Sequence, residues 1–295
     1  MSDFHGLPTK YIENRFLRLE YLAQAGPRLV RLFLAGSHEN LFVELPKFVI
    51  ETPYGDFYFR GGHRLWHSPE AMPRTYIPDN EGLVVEELAD GVRLSQPVEA
   101  GTGIKKTLEV HLHDSRPALT VHHALTNQGL WPVELSIWAI TQFTLGGVVI
   151  LPQQQGPLDA TGLLSNRKLV LWPYTRWHDP RLHLDEPAIL IDTRREGIPP
   201  TQPCKVGYCN PHEWIAYWRK GVLFVKHAIS VPEAQYPDGG CNNECYCNNQ
   251  FVELESLGPL TRLEPGESVE HTEEWELFNS LDVPVISDEI RRLLD

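Results

Sequence analysis

The chain has 295 residues, 42% of them hydrophobic, and its 8 Trp, 10 Tyr and 11 Phe supply enough apolar surface for a large core, which argues against disorder away from the ends. Its net charge of -13, with no run of Lys or Arg, argues against nucleic acid or an anionic membrane as a partner. No stretch approaches the roughly 20 apolar residues of a membrane helix, and the start, "MSDFHGLPTKYIENRF", lacks the basic and apolar parts of a signal peptide, so a cytoplasmic location is expected.

Helical periodicity is nearly absent along the chain. Short β-rich runs cut by Gly, Pro, Asn and Asp take its place. They begin with "RFLRLEYLA" (15–23), "RLVRLFLAG" (28–36), "LFVELP" (41–46), "LVVEEL" (83–88), "VRLSQPV" (92–98) and "KKTLEVHLH" (105–113). "ALTVHHALTN" (118–127), "PVELSIWAITQF" (132–143), "LVLWPY" (169–174) and "WIAYWRKGVLFVKHAI" (214–229) follow, then "QFVELESL" (250–257) and "SVEHTEEWEL" (268–277). Strand after strand without intervening helices predicts an all-β fold, a large antiparallel β-sandwich. The tail "SDEIRRLLD" (287–295) predicts one short C-terminal helix capped by Ser287. No linker or composition shift divides the chain, so a single domain over 1–295 is expected.

Three stretches could carry chemistry. In "FVELESLGP" (251–259), strand alternation puts Phe251, Glu253 and Glu255 on one face and Val252 and Leu254 on the other. Glutamates two apart on a strand lie roughly 7 Å apart, which suits acid/base work, although a solvated face is the plainer reading of the spacing alone. An aromatic beside the pair favours a sugar ring.

"GGHRLWHSPE" (61–70) is too rich in Gly and Pro for a helix, so His63 and His67 are not helical metal partners. Extended, it turns His63, Leu65 and His67 one way and Arg64, Trp66 and Ser68 the other. Arg offers a fork of donors and Trp a flat apolar face, and sugars use both. A structural loop is the competing reading.

The cysteines, Cys204, Cys209, Cys241, Cys245 and Cys247, are spaced C-x4-C and C-x3-C-x-C, which fits neither a zinc site nor a disulfide scaffold. Free thiols in a polar loop, and no structural metal, are expected. Lys205, Lys226 and His227 fall in or beside strand-like runs and could point inward. No phosphate-binding loop, dinucleotide fingerprint or serine-hydrolase elbow is present.

Taken in order, these stretches resemble the galactose mutarotase-like superfamily, the aldose 1-epimerases and their relatives. "ENRFLRLEYLAQAGPRLVRLFLAGSHENLF" is similar to the family's opening strands, and "GGHRLWHSPE" to a Gly-Gly segment lining the sugar site. "VELESLGPLTRLEPGESVEHTEEWEL" is similar to its closing strands, where a Leu-Glu pair precedes an L-x-P-G-E turn. The resemblance runs over roughly residues 12 to 278 and is greatest to an uncharacterised bacterial branch known only as a domain of unknown function.

The resemblance implies a supersandwich fold, a small-molecule sugar as partner, and no cofactor. It implies that Glu255, matching the Leu-Glu pair, is the general base, that Arg64 lies near the position of a substrate-binding arginine, and that His63 or His67 lies near that of a site histidine. The residue chemistry adds Trp66, Lys205, Glu253 and Phe251 as substrate-binding candidates. The family's acid histidine follows a T-N-H-x-Y-F type strand, but "LTNQGLWPVELSIWAITQF" carries Thr141 and Gln142 there and no histidine. His63, His67 or Lys205 would then supply that proton. The expected function is interconversion of sugar anomers by acid/base ring opening. The rivals are a non-catalytic carbohydrate-binding protein on the same fold and a different carbohydrate reaction using Glu253 with Glu255.

Overall fold

The alternating runs pair with one another to form two antiparallel sheets, of twelve and ten strands among the described residues, in the computed structural model, which describes residues 2–194 and 202–279. The helix expected at 287–295 lies outside the described residues. The helical element within them is a single 3₁₀ turn, Arg74–Tyr76, and no described helix is long and apolar enough to cross a membrane.

In the twelve-stranded sheet, Arg28–Leu34, Gly55–Ser68, Val133–Thr144, Phe251–Leu257, Asn243–Cys247, Cys204–Tyr208 and Leu169–Leu171 lie side by side in that order. The other sheet centres on Val222–Ala228, Ser268–Phe278 and Ala118–Asn127. Between the sheets lies the main core, with Val252, Leu254, Ile137 and Trp275 among its fully buried members. The Trp275 ring sits 5.4 Å from Phe224 and 6.0 Å from Phe42, and burying a side chain of this kind contributes on the order of 1.5–3 kcal/mol.

The twelve-stranded sheet also has a covered outer face. Phe251–Leu257 is buried at every position. Val252 and Leu254 enter the main core, while Phe251 and Leu257 join a second cluster with Phe57, Phe59, Trp66, Tyr76 and Trp138. A half-solvated strand would alternate buried and exposed residues; this one is sandwiched on both sides.

The glycine pair changes which residues face outward. Phe57 and Phe59 belong to the outer cluster, but past the glycines Trp66 joins it and Leu65 turns to the main core. Arg60, Gly61 and Gly62 all have positive φ, at 59°, 85° and 68°, and this left-handed run shifts the parity of the strand. Before it the strand pairs with Glu44–Thr52; after it, with Arg28–Leu34 and Val133–Thr144. A Cβ at Gly61 would stand 1.9 Å from the Val43 carbonyl oxygen, and one at Gly62 1.9 Å from that of Leu29. Only glycine fits so close an approach with φ positive.

Candidate functional site

Strand register assembles the site. Arg64, Ile140 and Glu255 face one another across three strands, and Glu255 continues the row to Glu244. In the next row Gln142, Glu253, Tyr246 and Lys205 are opposed in turn. Trp66 opposes Trp138, which opposes Leu257. Directly opposed residues share a sheet face, so five strands from distant parts of the chain turn these side chains to the outer face together.

There a pocket of about 330 Å³ opens, whose walls include Arg64, Trp66, Trp138, Lys205, Tyr246, Phe251 and Glu253. All five of the expected substrate-binding residues are brought together. The aromatic lining is continuous: Trp66 stands 5.4 Å from Trp138 and 4.9 Å from Tyr76, and Phe251 5.7 Å from Tyr246. A larger groove of about 700 Å³ beside Leu7–Glu13 holds none of the expected residues, and its Lys10 is paired with Glu87 at 2.9 Å.

Charge is concentrated at the pocket floor. The Arg64 guanidinium lies 4.1 Å from the centre of the Trp66 ring and gives one Nη2 hydrogen bond of 2.9 Å to Glu253 Oε1. Its Nε and Nη1 are buried without a partner. Lys205 Nζ bridges Glu244 Oε2 at 2.6 Å and Glu255 Oε2 at 3.1 Å. Burial alone would favour neutral Lys205, but Glu255 and Glu244 outweigh it and hold its pKa well above the ordinary lysine value. Glu253 responds in the opposite sense: burial, reinforced by Glu255 and only partly offset by Arg64, pushes its pKa up to about 7.

Glu255 stands directly behind the lining. It is fully buried, and its Oε2 accepts hydrogen bonds from Trp138 Nε1 at 2.7 Å and from Lys205. Both donors belong to the pocket wall. Its Oε1 is buried with no partner.

The two histidines of "GGHRLWH" are not in the pocket. Parity after the glycine pair sends them to the inner face, so the expectation that one of them delivers a proton at the site is corrected. His63 Nε2 lies 2.8 Å from His123 Nε2, and His63 Nδ1 2.8 Å from Thr141 Oγ1. His123 Nδ1 faces the His271 carbonyl at 3.0 Å, which can only accept. The network therefore assigns His123 the Nδ1 proton, His63 the Nε2 proton, and Thr141 the role of donor to His63. Burial holds both His63 and His123 below the usual histidine range, His123 at about 4. His67, also buried, faces Glu99 at 3.7 Å, and Lys106 Nζ holds that carboxylate at 2.5 Å.

Lys226 likewise points into the core, 2.9 Å from Glu273, while His227 is half-buried at the sheet surface. His63, His123 and Glu273 are close enough to offer three ligand atoms to one ion, but the histidine nitrogens already bond each other and Glu273 already neutralises Lys226. The cysteines are free, yet Cys204, Cys245 and Cys247 are strand residues buried in the sheet rather than loop thiols; Cys209 alone is exposed. The chain reading missed Trp138, Tyr246 and Glu244. Their signal was present in the alternation of "IWAITQF" and "NECYC", but strand order was needed to set them beside Glu253 and Glu255.

None of the family models searched matches the chain, and no curated protein matches it. Solved structures do share its fold. A TPR-domain containing protein from Parabacteroides distasonis ATCC 8503 aligns over 95% of this chain with a TM-score of 0.61 and 15% identity; the chain spans about half of that protein, 48%. An aldose 1-epimerase candidate from Klebsiella pneumoniae subsp. pneumoniae MGH 78578 aligns over 96% of this chain and 82% of its own, with a TM-score of 0.58 and 10% identity. A galactose mutarotase-like protein from Lactobacillus casei ATCC 334 aligns over 92% of this chain and 100% of its own, with a TM-score of 0.56 and 12% identity. The chain thus has the galactose mutarotase-like fold that its motifs implied. At these identities the likeness is one of fold, and it singles out no branch.

Proposed function

We propose that the outer-face pocket binds a free aldose and interconverts its anomers. The observation that carries this reading is the convergence of aromatic walls with Arg64, Lys205 and Glu253 in one pocket of sugar-like size, with Glu255 directly behind its lining. Trp66, Trp138 and Phe251 offer apolar faces to sugar C–H groups, and Arg64 and Lys205 offer donors to hydroxyls. The orphan Oε1 of Glu255 is a buried acceptor awaiting a donor. An anomeric hydroxyl that reaches it past the wall residues Trp138 and Lys205 supplies one, and Glu255 then takes its proton as the ring opens. Rotation about C1–C2 and closure from the other side give the second anomer. Lys205 anchors the opposite oxygen of Glu255 and fixes its orientation.

The test is exchange NMR on D-galactose, D-glucose, D-mannose and D-xylose. The reading expects faster α/β interconversion of at least one sugar in proportion to protein concentration. It also expects a loss of about 10²–10⁴-fold in Glu255→Gln, whose amide keeps the shape but accepts no proton. Interconversion of all four sugars at the uncatalysed rate, with sugar still bound, would replace this reading by a binding protein.

A further inference from the structure

We infer that Glu253 is the group that hands a proton to the sugar ring oxygen, in the place where the family resemblance expected a histidine. The inference rests on the anomer-interconverting reading above and assigns its missing half. Ring opening needs two proton transfers on opposite sides of the C1–O5 bond. Glu255 accounts for one, and no histidine lines the pocket.

The geometry leaves few candidates for the other. Glu253 lines the pocket, whereas His63 and His67 lie on the inner face of the sheet. Its Oε1 is anchored by Arg64 at 2.9 Å, and among the described residues no hydrogen bond engages its Oε2. Two positions along the same strand face is Glu255, at the roughly 7 Å repeat of alternate strand residues, a spacing that places two carboxyls at different atoms of one pyranose ring.

The charged and titratable groups facing Glu253 decide what it can do. Arg64 comes from the neighbouring Gly55–Ser68, Glu255 from its own strand, Tyr246 and Lys205 from the next two strands, and Tyr76, Tyr174 and the rim residue Glu70 from the walls. Across from it, Gln142 is uncharged and its amide has no partner. Lys205 is locked as a cation between two carboxylates, and burial pushes the hydroxyls of Tyr76, Tyr174 and Tyr246 upward, Tyr246 to about 12. These groups part with a proton poorly at neutral pH. Glu253, which lines the pocket and whose carboxyl burial pushes up to about 7, is the lining group best placed to hold a proton near neutral pH and give it up.

The step balances without a co-reactant. Glu255 removes the proton of the anomeric hydroxyl as the C1–O5 bond breaks. The bond pair goes to O5, which takes the Glu253 proton, and C1 becomes the aldehyde carbon. Closure runs the same transfers backwards: Glu253 carboxylate recovers the O5 proton as O5 attacks C1, and protonated Glu255 returns its proton to the carbonyl oxygen. Both carboxyls end as they began.

The pH dependence of anomer exchange in the wild-type protein tests this first, because it needs no variant. An acid that must be protonated gives a rate that falls as pH rises through about 7. Glu253→Gln is expected to lose about 10²–10⁴-fold in kcat and to lose that basic limb, while its tryptophan-fluorescence titration with sugar shifts by less than about tenfold. Glu253→Asp is expected to recover part of the rate. If the wild type accelerates exchange but its rate is flat from pH 6 to 9, or folded Glu253→Gln keeps more than a tenth of kcat, the assignment is overturned and the function stands. If the wild type accelerates no sugar, both fall.

Discussion

Replacing Lys205 by Met removes one positive charge, its hydrogen bond to Glu255 and its place over the Trp138 and Trp172 rings, while the shape of the side chain changes little. The two side chains have similar length, and volume-conserving exchanges in a core cost less than about 1.5 kcal/mol. The charge is another matter. Lys205 is 4% exposed and is the shared counter-ion of Glu244 and Glu255, which have no solvent access of their own. Breaking a buried pair by deleting one partner costs about 3–5 kcal/mol where the other group stays charged. Against a typical stability of about 5–15 kcal/mol this is a large fraction.

The loss must also depend on pH. Burial already pushes the Glu244 carboxyl upward, and without Lys205 it rises further. A folded-state carboxyl pKa above the unfolded value means the folded protein binds more protons, so the penalty is greatest at high pH and shrinks as pH falls through the folded value. Urea unfolding followed by tryptophan fluorescence, at about pH 8 and about pH 5, reads both quantities. A deficit below about 1 kcal/mol at the higher pH, or an equal deficit at both, would refute the view that Lys205 neutralises a buried carboxylate pair.

Other substitutions separate framework from chemistry. Gly62→Ala is expected to lose at least the about 1–2 kcal/mol of left-handed backbone strain, and more from the 1.9 Å approach of its Cβ to the Leu29 carbonyl, read as a lower urea midpoint. His63→Ala orphans the buried His123 Nε2 and Thr141 hydroxyl, at about 1–3 kcal/mol each, yet leaves the anomer-exchange kcat of the folded protein within a few-fold, because His63 faces away from the pocket. Trp138→Phe keeps a ring in the wall but removes the 2.7 Å donor to Glu255 Oε2; a hydrogen bond to a charged group is worth about 1.5–3 kcal/mol, and thermal unfolding is expected to shift accordingly.

Much of the site was legible in the chain because strand alternation is a local rule. It put Phe251, Glu253 and Glu255 on one face and split Arg64 and Trp66 from His63 and His67, and both divisions match the faces seen in the fold. The same rule separates His63 and His67 from Arg64, against the resemblance, which implies a histidine beside it. What alternation could not supply was strand order. Lys205 meets Glu255 because Cys204–Tyr208 pairs with Asn243–Cys247, which pairs with Phe251–Leu257, and no local pattern encodes that sequence of partners. The parity shift at Arg60–Gly62 was equally hidden, since a glycine pair marks a special backbone without saying which face follows it.

Crystals soaked with a mixture of D-galactose, D-glucose, D-mannose and D-xylose test the central claim most directly. The account predicts one pyranose in the pocket walled by Trp66, Trp138, Phe251 and Lys205, with Glu255 nearest the anomeric hydroxyl and the free oxygen of Glu253 nearest the ring oxygen. An empty pocket at saturating sugar, or a sugar bound instead in the groove beside Leu7–Glu13, would contradict it.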